Sequence, residues 1–450
     1  MGSLRRTLTF RDLIVYGLLF IAPMAPVGIF GTLQATSHGA ITVVYLVATV
    51  AMAFTAYAYA QMVRVAPQAG SVYTYARVGL GEGAGFVAGW MAMLDYLLIP
   101  AVAYLFSGIA LHALVPSVHQ WVWTALAVVV TTVLNLWGVR IAALVGFAVL
   151  AMEIVVLVVF VVAAVWALVA HGAQRGWATP FTGEGAFSTS AVLAAVSVAV
   201  LSFLGFDAIA SFAEESAGGA QRVARAVLTC LVVAGVLFAV QTYLAALLAP
   251  MSAAELAAEP GGQGEAFYTT ADAAVGEWLQ KLVAGSKAIG AAFAALAGQA
   301  AAGRLLFAMA RDRRLPGAMS KVDARRGVPH RALLGAAVVT LVAAVWAARR
   351  DDGLDQLSSI VNVGALTAFG LLHASVIGWF RVRGQAEVPS VLRHVVVPLL
   401  GLAVVIAVVV EASATAQIVG GVWLVVGLVV LAVRYGRRGR RTGRGAEGRG

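Results

Sequence analysis

A chain of 450 residues that is 61% hydrophobic and 12% charged lies well below the roughly one-quarter charged content of soluble domains, which excludes a soluble globular protein. The formal net charge of +10 does not imply nucleic acid, because the positive residues gather on one side of a series of apolar segments. The single cysteine, Cys230, excludes a disulfide framework and a cysteine-based metal cluster.

The apolar runs are continuous and about 20 residues long, the length of membrane-spanning helices and not of alternating strands. Arg5 and Arg6 precede a first segment too long for the apolar core of a cleavable signal. Twelve segments follow, at 12–36, 40–62, 84–111, 120–139, 141–170, 190–214, 226–250, 280–310, 332–348, 356–379, 394–411 and 416–435. In span 1, Pro23-Met-Ala-Pro26-Val-Gly28 puts two prolines and a glycine in mid-run. Each proline removes a backbone donor and clashes with the preceding turn, so the helix is expected to open there. Pro67-Gln-Ala-Gly70-Ser-Val-Tyr-Thr-Tyr75 follows span 2, and span 3 carries Gly89-Trp90, then Asp95, Tyr96 and Tyr104. Glu153 stands alone in span 5.

Span 6 contains Leu201-Ser-Phe-Leu-Gly-Phe-Asp207, followed by Ser211, Glu214 and Glu215. A carboxylate inside lipid costs roughly 2.5–3.5 kcal/mol on insertion scales, so a chain that keeps one has a substrate, an ion or a partner for it. Gly205 gives span 6 a place to break beside that acid. Breaks in spans 1 and 6 occupy matching positions of two five-helix halves, the sequence pointer to a transporter's binding site. The structural alternative is a proline kink in one span and a packing glycine in the other.

The connection at 251–279 carries Glu255, Glu259, Glu265, Asp272 and Glu277. It reads as a solvated loop or as an antechamber that concentrates cations. Span 8 ends in Arg304-Leu-Leu-Phe-Ala-Met-Ala-Arg311-Asp312, with Leu315-Pro316 beyond it. Of the 31 Lys and Arg residues, only Arg175, Lys281, Lys287, Arg349 and Arg350 fall opposite the amino terminus. That bias places both termini in the cytoplasm and leaves no lysine or arginine in mid-membrane. The Arg-rich tail, 436–450, is expected to be a disordered anchor near anionic lipid, not an RNA-binding arm.

Gly28-Ile-Phe, the Pro67–Tyr75 motif, Gly89-Trp90, Gly205-Phe-Asp with Glu214-Glu215, and the Arg304–Asp312 motif come in order. Together they resemble the amino acid–polyamine–organocation superfamily of permeases over about residues 8–435. Within it, Ile21-Ala-Pro-Met-Ala-Pro-Val-Gly-Ile-Phe and Leu94-Asp-Tyr-Leu-Leu-Ile-Pro look most like bacterial putrescine importers. The resemblance implies an all-α integral membrane fold of the leucine-transporter type, with twelve transmembrane helices, a 5+5 inverted repeat and broken helices 1 and 6. One domain would cover 1–435, with repeats at about 12–170 and 190–379 and two further helices at about 394–435. Substrate would lie between spans 1, 3, 6, 8 and 10.

The candidate substrate contacts are Ala25, Pro26 and Gly28 in span 1, Tyr104 in span 3, and Phe203, Phe206, Asp207 and Ser211 in span 6. Amino-acid permeases of this kind usually hold the substrate carboxylate on backbone N–H groups of the span 1 break. Pro23 and Pro26 have none, which leaves Val27, Gly28 and Ile29. A diamine needs no such cradle; it needs acids and aromatic faces, which Asp207, Phe203 and Phe206 offer with Asp95, Tyr96 and Tyr104. Structural roles compete with each of these: Asp207 as a brace for the broken ends, Asp95 as a helix brace, Tyr104 as a core tyrosine, the phenylalanines as packing. Glu214 and Glu215 read as a gate pair with Arg222, or as a solvated helix end.

Relatives with a sodium site use a hydroxyl pair on span 8. Between Ala288 and Gly303 there is no Ser or Thr, and Gln299 is the only polar side chain, so sodium independence is expected and no metal is implied. Proton-coupled relatives often carry a lysine on span 5, at or near the place of Glu153. A glutamate there is the proton-coupling candidate, with His373 on span 10 as a second. Motifs of intramembrane enzymes are missing and no cofactor is implied. The expected function is proton-coupled import of a small organic cation, putrescine or a related polyamine, across the plasma (inner) membrane. The alternative is an amino-acid permease or exchanger.

Overall fold

The computed structural model describes residues 8–67, 71–137, 140–185, 187–211, 213, 216–311, 317–320, 330–384 and 390–446. Its helices are α1 (Phe10–Ile21), α2 (Phe30–Thr36), α3 (Ile41–Val65), α4 (Ser71–Leu80), α5 (Glu82–Leu114), α6 (Gln120–Trp137), α7 (Arg140–His171), α8 (Thr179–Thr182) and α9 (Thr189–Ala199). There follow α10 (Ala208–Ser211), α11 (Gly219–Leu248), α12 (Ala253–Ala258), α13 (Ala266–Val275), α14 (Glu277–Arg311), α15 (His330–Ala348), α16 (Gly353–Ile377), α17 (Val397–Val410) and α18 (Ala414–Ala446). Among the described residues there is no strand, only an isolated bridge between Leu8 and Ser216. Among the described residues, 11 helices suffice by length and composition to cross a membrane, and Gln120–Leu136 is apolar but shorter. The chain is a multi-pass membrane protein.

Thr9 starts α1 with a capping box: its hydroxyl accepts from Asp12 N–H, and the Asp12 carboxylate accepts from Thr9 N–H. The helix stops at Ile21. Ala22 turns to φ 60°, and one 3-10 turn at Ala25–Gly28 separates α1 from α2. Pro23 and Pro26 withhold the two donors that would have carried the ladder through. The second interruption is built differently. α9 tightens into a 3-10 turn at Val200–Phe203, Gly205 adopts φ 109°, and the helix restarts as α10. A Cβ on Gly205 would stand 2.8 Å from the Phe20 carbonyl oxygen. Glycine is required there both for the left-handed φ and for the close approach of the two interrupted segments.

α5 packs against α14 and α16, and α3 against α11. Pro100 lies inside α5 and so removes the N–H that would donate to the Tyr96 carbonyl. The connection read as a solvated loop folds instead into a helical cap. Ser252 and Glu255 form a capping box for α12, and Phe267 on α13 is buried edge-on against Phe30 with Phe160 beside it. Apolar residues spaced between the acids supply the buried face that a charge count conceals. Arg175 ties the cap down through Glu184 and the Met251 carbonyl. In this cap, burial pushes the Glu265 carboxyl up while His112, 3.9 Å away, opposes the shift.

α18 continues through Ala446, past the 435 boundary set by hydropathy and into the segment expected to be a disordered tail. Hydropathy marks where lipid ends, whereas arginine remains a good helix former in water.

Candidate functional site

A cavity of about 180 Å³ lies where the two interruptions face α5 and α14. One water takes ~10–15 Å³ on this scale, so the space suits a ligand of several heavy atoms. Its ionisable wall is Asp95 and Tyr96 from α5, Asp207 from the second interruption, Glu153 from α7 and Lys287 from α14. Ala22, Ala25 and Gly205 bring the interrupted backbones to the same space.

Asp207 is held by two hydroxyls and by the backbone N–H groups of Gly205 and Asp207. Its Oδ2 accepts from the Ser71 hydroxyl at 3.3 Å and from the Tyr59 hydroxyl at 3.5 Å, and those two hydroxyls are themselves 3.1 Å apart. Ser71, the first residue of α4, sits at φ 48°, a conformation that costs a non-glycine residue about 1–3 kcal/mol and tends to persist at functional positions. Asp207 thus lines the cavity and also ties α4 to the second interruption. Asp95 differs: its Oδ1 is buried with no hydrogen-bond partner. A buried carboxylate oxygen left bare costs several kcal/mol unless a cation or donor arrives.

Lys287 corrects the sequence reading, which placed it outside the membrane. It is 3% exposed, and its ammonium donates to the Met24 carbonyl at 3.1 Å, inside the first interruption. The same Nζ lies 4.9 Å from the centre of the Phe106 ring. Phe106 in turn packs on Gly28, where a Cβ would come within 2.5 Å of the ring. Glu153, also 3% exposed, bears electrostatically on Lys287. Its carboxylate rests against Gly290, one turn beyond Lys287 on the same helix face. Glu153 is therefore not alone, and a lysine is present in mid-membrane. The signal was available: Lys287 falls inside the apolar segment 280–310, and α14 carries it about 15 Å below the helix start at Glu277.

The other predicted residues divide. Ala25 and Asp207 line the cavity. Pro26 and Gly28 are buried in the 3-10 turn and shape it without lining the space. Tyr104 does not line it; its hydroxyl accepts from Thr131 at 2.6 Å on the α6 side. Phe203 and Phe206 are also turned away. Phe203 packs on Tyr45 and Phe238, and Phe206 on Tyr59 and Phe369. The side chain of Ser211 and all of Glu214 and Glu215 lie outside the described residues. His373 stands apart from the cavity, with Nε2 3.3 Å from the Thr55 hydroxyl. Gln299 binds Asn135 and Thr132 and likewise faces away. Tyr59 and Ser71, the holders of Asp207, were missed, because nothing local marks either as a partner of a residue so distant in sequence. Among the described residues no cluster of three or more His, Cys, Asp or Glu is arranged to hold a metal ion.

The sequence profile of a family described as amino acid permease matches residues 13–435. The chain is 28% identical to the low-affinity putrescine importer PlaP of Escherichia coli, over 96% of this chain and 94% of that protein. It is 27% identical to the branched-chain amino acid permease BcaP of Bacillus subtilis, over 95% of this chain and 92% of that one. The vacuolar cationic amino acid transporter 4 of Arabidopsis thaliana is 27% identical, over 83% of this chain and 63% of its own length.

Proposed function

The chain belongs to the amino acid permease family, and from that premise we propose that it imports a small organic cation, putrescine or a related polyamine, by alternating access. It is a transporter and not an enzyme. One observation carries the choice of substrate class: Asp95 and Asp207 face one cavity, and Asp95 Oδ1 has no partner. An ammonium group supplies the donor that this oxygen lacks, and a charge-assisted bond in a desolvated site is the strong kind. The Pro23–Pro26 interruption supports the same reading, because a diamine does not need the N–H groups it has lost.

In this reading the helices form twelve spans with both termini in the cytoplasm and a 5+5 inverted repeat whose broken members are the two interruptions. The protein sits in the plasma membrane, and Glu153 carries the coupling proton. The Lys287 ammonium on the Met24 carbonyl supports sodium independence, since it takes up an oxygen that a hard cation would need. Lys287 also favours a second reading. A buried ammonium across the cavity from two acids is a partner for the carboxylate of an amino acid, the cargo named for two of the relatives.

Competition binding on purified protein separates the two readings. Putrescine should bind at least about tenfold tighter than ornithine, which adds a carboxylate to the same diamine. Equal or tighter binding of ornithine moves the assignment to an amino-acid permease.

A further inference from the structure

The cavity holds three acids and one base, and they fall into two sets. Asp207 acts on Asp95, and both act on Tyr96. Glu153 and Lys287 act on each other, with the Glu153 carboxylate against Gly290 on the Lys287 face of α14 and the ammonium fixed on the Met24 carbonyl and the Phe106 ring. Burying net charge in a low-dielectric interior is costly, so a filled cavity is most stable when protein and ligand charges cancel.

We propose that Glu153 and Lys287 are a specificity-determining pair that sets the charge of the transported substrate. As carboxylate and ammonium, the state in which substrate binds before the coupling proton joins Glu153, they neutralise each other and leave only Asp95 and Asp207 uncompensated, so the ligand that closes the balance is a dication. The inference rests on the reading that those two acids meet the substrate's ammonium groups. Lys287 does more than brace the first interruption. Without it the cavity carries one more negative charge, and without the Glu153 charge one fewer.

Two probes of nearly equal shape read this directly: putrescine, and pentylamine, in which a methyl replaces the second ammonium. The measurement is the ratio of their dissociation constants on purified protein. The wild type should prefer putrescine. Glu153→Gln should lower that preference by about tenfold or more, the scale of one unit charge acting through a partly desolvated site. Lys287→Met should hold or raise the preference, and Glu153→Gln combined with Lys287→Met should return it to the wild-type value. A ratio unchanged in Glu153→Gln, or one that the double variant fails to restore, overturns the proposal. A purely structural pair moves both affinities together and leaves the ratio alone. Should Lys287→Met not fold, because it strands a buried carboxylate, Glu153→Gln against the double variant decides alone, since both lack that unpaired charge. Asp207→Asn keeps the two ideas apart. Retained putrescine affinity there removes the underlying reading, whereas lost affinity with an unmoved ratio in Glu153→Gln removes only the charge-setting role.

Discussion

The two interruptions that frame the cavity solve the same problem in opposite ways. The first opens because Pro23 and Pro26 lack donors, and the Met24 carbonyl within it accepts from the Val27 N–H and, from across the chain, from the Lys287 ammonium. The second opens on Gly205 at φ 109° and presents an acid, Asp207, which two hydroxyls and the backbone N–H groups of Gly205 and Asp207 hold. A carbonyl is a fixed dipole that a tethered cation can cover permanently. A carboxylate carries a full charge, and neutral hydroxyl and backbone donors orient it without cancelling it. The contrast supports the proposed roles, in which the first interruption is closed by the protein itself and the second is left for a ligand.

The largest effect should follow from removing the charge that the second interruption leaves open. Asp207→Asn preserves size and most hydrogen bonding, so folding should survive. Loss of a desolvated charge pair should lower putrescine affinity by about a hundredfold or more. Normal affinity in a folded Asp207→Asn protein, with reduced expression alone, returns Asp207 to the role of a brace and erases the contrast.

A smaller effect is expected on the self-satisfied side. Uptake should proceed in sodium-free buffer, rise with an inward proton gradient and fall when the gradient is collapsed. Glu153→Gln fixes that side chain in its protonated shape, so it should flatten the response to the gradient several-fold while leaving exchange in place. Uptake that requires sodium means the Met24 carbonyl is not the oxygen that matters. An unchanged proton response in Glu153→Gln leaves the glutamate as a partner of Lys287 only.

The features legible in the sequence were those whose cause is local. The spans follow from unbroken hydropathy, and the first interruption from two prolines. The second followed from a glycine beside an acid in an apolar run, and Asp207 came with it. Whatever depends on helix phase was lost. α5 is apolar on nearly every side, so no polar stripe marks which face meets the cavity. Asp95 and Tyr96 line the space, while Tyr104, on the same helix, binds Thr131. Phe203 and Phe206 sit beside Asp207 in sequence yet pack into the surrounding core, because a 3-10 turn and a left-handed glycine reset the direction of each side chain. Lys287 was assigned to water by a count of charges per side, a rule that treats every lysine near a span end as exposed. A basic residue followed by Ala288 and Ile289 within an apolar segment calls for an internal acid, and Glu153 supplies it.

The smallest expected effect tests how the second interruption is held. Ser71 spends a strained backbone, φ 48°, to bring its hydroxyl to Asp207 at 3.3 Å. One such bond contributes about 1 kcal/mol net, so Ser71→Ala should weaken putrescine binding by only about fivefold, with Tyr59 still in place. Alanine keeps the backbone strain and loses the bond, whereas Ser71→Gly loses both. If the hydroxyl orients the carboxylate, the two variants should lose affinity alike. Ser71→Gly should at the same time regain some thermal stability relative to Ser71→Ala, because glycine adopts this φ without penalty. If only Ser71→Gly loses affinity, the rigid left-handed turn positions Asp207 and the hydrogen bond does not. If neither variant changes binding, Asp207 is oriented by Tyr59 and by the backbone around Gly205, and the second interruption is as self-contained in its geometry as the first is in its charge.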